Sequence, residues 1–121
     1  MRTGAELIAE ERQRQKDVEG WTDAHDDKHV GGELVWAAAC YAAPNDIYEH
    51  ERGLGSTSVW PWDRAWDKRI DRKGGVLHLF DISSMSAENI VDRVKELAKA
   101  GALVAAEIDR LQRAYMNKQG R

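Results

Sequence analysis

Between residues 86 and 115, apolar or small side chains recur at Ile90, Val94, Leu97, Gly101, Val104, Ile108, Leu111 and Tyr115, in steps of four and three. Steps of that size keep one side chain per turn on a single helix face. The pattern predicts one long amphipathic helix, capped by Ser86 and running to about Tyr115. At 1.5 Å per residue such a helix is about 45 Å long. Two short helices of the same chain cannot cover that length, so the stripe predicts that a partner chain covers part of it.

Upstream the signals are shorter. Thr3 and Glu6 have capping-box spacing, which places the start of a first helix near Thr3. Leu7 and Ile8 supply its apolar side, Gly20 stops it and Trp21 opens a loop. A second helix is expected after the acidic turn from His25 to His29, with Asp26 or Asp27 as its cap. It runs from Glu33 to Ala43, where small residues at 37, 38, 39, 42 and 43 admit a close neighbour, and Pro44 ends it. Trp36 is expected in the core.

From Asn45 to Ser84 the periodicity lapses among Gly53, Gly55, Pro61, Gly74 and Gly75. Val76–Phe80 fits a short strand or a buried plug, and periodicity does not decide between them. The fold class expected is all-α: a compact helical bundle of one domain, residues 1–121, with a long C-terminal helix. Its middle is an irregular, Trp/Gly-rich excursion with room for one short strand.

Composition narrows the setting. Hydrophobic residues make up 42% of the 121 and charged residues 32%, as in ordinary globular chains. No run approaches the roughly 20 apolar residues that span a bilayer, and the N-terminus carries no apolar signal core. With Cys40 the single cysteine, a disulfide framework is excluded. The expectation is a soluble, cytoplasmic protein with no membrane partner. A net charge of −3 argues against nucleic acid as partner, although Lys68, Arg69, Arg72 and Lys73 form a short basic run.

Several constellations could carry chemistry. Asp92 and Glu96 stand one helical turn apart, with Lys99 a further turn on; His29 and Glu33 share that spacing, and Asp26 lies one turn earlier. Two facing helices that each offer an oxygen-rich turn can hold Mg²⁺ or Mn²⁺; solvated surface ion pairs explain the same spacing. Glu107 stands about 16 Å along the axis from Glu96, too far to share an ion, and is expected to pair with Arg110. His25-x-x-x-His29 has the spacing of a helical zinc pair but lacks neighbouring cysteines. Cys40 reads as a small buried residue. The tryptophans fit two readings, core plugs or indoles stacked on a base, with Trp21, Trp60 and Trp62 the stacking candidates and Arg69 and Lys73 placed to meet phosphates.

Taken together, Glu11-Arg12-x-Arg14-Gln15, Glu19-Gly20-Trp21, Asp26-Asp27-x-His29-x-x-Gly32-Glu33-Leu34, Ala37–Ala42, Trp60-Pro61-Trp62 and Leu97-x-Lys99–Leu103 with Ala106-Glu107-Ile108 resemble a group of small phage and prophage proteins. Those are similar to the MazG-like, all-α nucleoside triphosphate pyrophosphohydrolases. The resemblance covers both ends of the chain, and Arg72–Ser86 looks like an insertion.

The resemblance implies a homodimer or homotetramer and Mg²⁺- or Mn²⁺-dependent hydrolysis of a (deoxy)nucleotide between the α- and β-phosphates. It places Glu33 and Glu96 as catalytic and metal residues by motif position, and Asp92, His29, Asp26 and Asp27 beside them by proximity. The family's Glu-Glu-x-x-Glu and Glu-x-x-Asp signatures are thinned here: Leu34 and Ala37 follow Glu33, and Lys99 follows Glu96. Lys99 then stands in for one cation by touching phosphate. The alternative is a non-catalytic phage protein that sequesters a nucleotide.

Overall fold

The computed structural model describes residues 1–44, 47–51, 55–69 and 86–120; the segment Val76–Phe80 and Lys73 lie outside them. The described residues are mostly helical. The spine is the C-terminal helix Ala87–Gln119, 33 residues, about 50 Å at 1.5 Å per residue. It is called α4, following α1 (Gly4–Asp17), α2 (Asp23–Asp27) and α3 (Glu33–Ala42). All three shorter helices pack against it.

The caps explain the helix starts. Ser86 Oγ accepts from Asn89 N at 3.1 Å at the head of α4, and Thr3 Oγ1 accepts from Glu6 N at 3.2 Å at the head of α1. Glu6 closes only half of the expected box, because its carboxylate accepts from the Thr3 hydroxyl at 3.1 Å.

The long helix uses two faces, and the one that meets its own chain is not the predicted stripe. The internal core joins Leu34, Ala37, Ala38 and Tyr41 of α3 to Ala100, Leu103 and Ala106 of α4. On α4 the buried seam runs through Glu96, Ala100, Leu103 and Glu107, one residue out of step with Leu97, Gly101, Val104 and Ile108. A shift of one residue turns the helix by about 100°. The alanines let α3 approach closely, which branched side chains would prevent. Val94, Leu97, Val104, Ile108, Leu111 and Tyr115 are left 41–62% exposed. Gly101 lies where α1 crosses, since a Cβ there would come within 2.5 Å of Ile8 Cδ1.

Three sequence expectations require correction. Asp26 and Asp27 do not cap the alanine-rich helix; they belong to the separate helix α2, capped by Thr22 Oγ1 accepting from His25 N at 3.3 Å. Gly32 precedes α3 instead, with φ of +85° and no side-chain cap. Only glycine adopts that left-handed backbone without penalty, so the chain turns sharply between the two helices. Trp36 is 46% exposed rather than core. In the middle segment, β1 (Tyr48–Glu51) and β2 (Gly55–Ser58) pair antiparallel, with Tyr48 opposite Ser58 and Glu51 opposite Gly55. These strands are polar on both faces, so no apolar alternation announced them.

Ion pairs tie the short helices together and to the spine. Arg12 of α1 reaches Asp26 of α2 at 2.9 Å, with side chains only 9% and 0% exposed. Arg113 of α4 holds Asp27 at 2.7 Å and Asp23 at 3.3 Å. Arg93 of α4 donates to Tyr41 O at 2.8 Å and to Ala42 O, where it satisfies carbonyls that the end of α3 leaves open. Among the described residues, no helix is long and apolar enough to cross a membrane.

Candidate functional site

Trp21, His25, His29 and Glu33 follow one another at intervals of four, across the end of one loop, through α2 and into α3. The rings come together in space. Trp21 stacks on His25 with centroids 5.6 Å apart and planes 4° apart. His25 meets His29 edge-on at 4.9 Å, and His29 meets Trp62 at 5.4 Å. Trp62 arrives on the segment after β2, where Asp63 Oδ1 accepts from Ala65 N at 2.8 Å and starts a single 3₁₀ turn, Arg64–Trp66.

Trp21, His25, His29, Trp62, Asp63 and Trp66 line a cavity of about 270 Å³. That is just under the range of about 300–1,000 Å³ typical of small-molecule sites, and suits a planar head group rather than a whole nucleotide. Trp21, Trp60 and Trp62 also lean on the buried core, so the core and stacking readings describe two faces of the same indoles. Trp66 is 55% exposed and serves the cavity rather than the core.

A second, polar groove of about 500 Å³ lies on the other side of Trp62, lined by Tyr48, Thr57, Ser58, Arg64 and Arg69 among others. The Arg69 guanidinium lies 5.2 Å from the centre of the Trp60 ring and grips Asp67 at 2.6 Å. Hydroxyls and guanidinium groups arranged in this way can donate to an oxyanion.

The carboxylates expected to hold a metal are placed differently. Asp26 accepts from Arg12 at 2.9 Å and meets His25 Nδ1 at 3.1 Å. Glu33 meets His29 Nδ1 at 3.2 Å. Glu96, 2% exposed, accepts from Arg93 at 3.2 Å, whereas Asp92 is on the exposed side of the same helix.

Lys99 reaches across to Glu11 of α1 at 3.2 Å. Burial there works against the Glu11 carboxylate, but Arg14 and Lys99 outweigh it and hold the group below its ordinary value. Glu107 pairs with Arg110 at 2.6 Å, as its spacing suggested. Among the described residues, no three His, Cys, Asp or Glu side chains gather where one ion could meet them. In this arrangement the acidic residues do not fit a shared Mg²⁺, since Asp26, Glu33 and Glu96 each meet an arginine or a histidine and stand in separate places.

Sequence reasoning missed His25, Asp63 and Trp66 as cavity walls and Arg64 as a groove residue. The available signal was the run of four-residue steps from Trp21 to Glu33, which puts two imidazoles between an indole and a carboxylate.

Below the site, Tyr41 is 4% exposed, and its hydroxyl accepts from Lys68 N at 3.1 Å. Burial pushes its phenol up to about 12, above the ordinary value of about 10. A folded-state value above the unfolded one means that the neutral phenol stabilises the fold fully below pH ~10, and that this stabilisation is lost as pH rises through about 12. Chemical denaturation between those limits is expected to show a steeper loss of stability for the native chain than for Tyr41→Phe. Equal slopes would refute the assignment.

Comparison with known proteins gives no match: no family model, no curated protein and no solved structure matches the chain.

Proposed function

We propose that the protein binds a nucleotide, with its base among Trp21, His25, His29, Trp62 and Trp66 and its phosphates toward Arg64 and Arg69. The observation that carries this reading is the pairing of an aromatic cavity with a polar, basic groove across the single indole Trp62. Aromatic faces grip a base whatever its sequence, and guanidinium groups supply charge-assisted bonds to phosphate. Sequestration accounts for this geometry better than hydrolysis, because the carboxylates that would hold Mg²⁺ or Mn²⁺ meet arginine and histidine instead.

The test is the shift in melting temperature with individual nucleotides, with and without Mg²⁺. A ligand at a hundred times its Kd raises stability by about 2.7 kcal/mol, an easily measured shift. Pyrophosphate release in the presence of Mg²⁺ or Mn²⁺ then separates a hydrolase from a sequestering protein. No shift with any nucleotide would sink the binding proposal.

The exposed stripe of α4 supports a homodimer as part of the same proposal. An antiparallel two-fold pairing centred on Val104 sets Leu97 against Leu111, and the covered surface is the same on both copies. Leu97→Asp combined with Ile108→Asp is expected to halve the mass measured by light scattering while leaving helical content unchanged. If the native chain is itself monomeric at tens of micromolar, the dimer is wrong.

A further inference from the structure

The two imidazoles in the aromatic cavity are held in one proton arrangement, and this restricts which bases fit. His25 Nδ1 lies 3.1 Å from Asp26 Oδ1, and His29 Nδ1 lies 3.2 Å from Glu33 Oε2. An ionised carboxylate only accepts, so each Nδ1 carries the proton and donates. In a neutral ring the other nitrogen, Nε2, then has a lone pair and no hydrogen. Neither Nε2 has a hydrogen-bond partner among the described residues, and both rings line the cavity together with the Asp63 carboxylate. The polar part of the wall is therefore made of acceptors.

We infer that the cavity selects bases carrying an exocyclic amino group, namely adenine, cytosine and guanine, over uracil, thymine and hypoxanthine. An amino group offers two N–H donors to an acceptor wall, whereas uracil and thymine offer one N–H flanked by two carbonyl oxygens. Those oxygens would face lone pairs with no proton between them. The indoles set the plane of the bound ring, and the imidazoles and Asp63 read its edge. Asp26 and Glu33 act as positioning residues, since they fix the tautomer without touching the ligand. The inference rests on the nucleotide-binding reading and adds its selectivity.

The experiment measures affinity by calorimetry for three matched pairs of nucleoside monophosphates: cytidine against uridine, adenosine against purine riboside, and guanosine against inosine. The amino-bearing member of each pair is expected to bind at least about tenfold tighter, because a site built to receive a donor rejects the analogue without it. His29→Phe keeps a ring in the wall but removes an acceptor, and should shrink the ratio within each pair while retaining binding of the amino-less member. Glu33→Gln no longer forces the His29 tautomer and should also shrink the ratio; a purely structural role would lower both members equally.

Equal affinities within all three pairs would overturn the selectivity and leave nucleotide binding standing. No binding of any of the six would overturn both. Displacement of a bound nucleotide by tetramethylammonium at comparable concentration would overturn the selectivity in favour of a cage for organic cations.

Discussion

Replacing Asp26 with alanine is expected to lower the free energy of unfolding by about 3–5 kcal/mol, the usual result of stranding one partner of a buried ion pair. Asp26 is completely buried and receives Arg12, itself 7% exposed, at 2.9 Å. Arg12 Nε and Nη1 are already buried without a partner, so losing the carboxylate removes the bond that offsets the desolvation of that guanidinium. Single domains are stable by only about 5–15 kcal/mol, so this one change takes a large share.

Urea denaturation gives the number, and the double variant Arg12→Met with Asp26→Leu is the control. Removing both charges is expected to recover most of the loss, since apolar replacements of buried pairs are often neutral or better. An Asp26→Ala chain as stable as the native one would show that the pair is not buried in solution. The sequence placed Asp26 beside a metal; its geometry makes it the joint between α1 and α2.

The second large effect concerns Trp62, which lines both cavities. Trp62→Ala is expected to weaken nucleotide binding by about 1–3 kcal/mol, as for other indoles that stack on a base. It also loosens the core, on which Trp62 leans. Trp66→Ala separates the two roles: Trp66 lines the cavity, is 55% exposed and does not belong to the core. Its loss is expected to reduce affinity severalfold with a melting temperature within a degree or two of the native value. If Trp66→Ala binds as well as the native chain, the ligand does not occupy this cavity.

How far the residues foretold this structure varied with the physics of each element. The long helix was legible because one face repeats over eight turns and Ser86 caps it in the expected way. The side of α4 that meets α3 was not, because hydrophobicity ranks Val, Leu and Ile above Ala, whereas close helix contact prefers the smaller residue. Pattern analysis identified the stripe, and packing chose the seam one residue away. The strands at Tyr48–Glu51 and Gly55–Ser58 left no apolar trace.

At the candidate site, Trp21, Trp60, Trp62, Arg69, His29 and Glu33 were singled out from residue type and spacing, and the structure sets them around two adjoining cavities or, for Glu33, at hydrogen-bond distance from His29. Asp92, Glu96 and Lys99 share a spacing but not a place: one is exposed, one meets Arg93 in the interior and one reaches Glu11. Spacing along a helix gives direction, but not which charges lie within reach on the neighbouring helices.

The crowding of indoles has an optical consequence. Of the five tryptophans, Trp21, Trp60, Trp62 and Trp66 line the two cavities, while Trp36 is outside both. A heteroaromatic ligand entering there would quench most of the intrinsic emission and leave the solvent-exposed light of Trp36 as a residual red-shifted band. The stacking of Trp21 on His25 adds a second signal, since a protonated imidazole quenches an indole that it touches. The molecule thus reports its own occupancy without a label, by the colour of what remains.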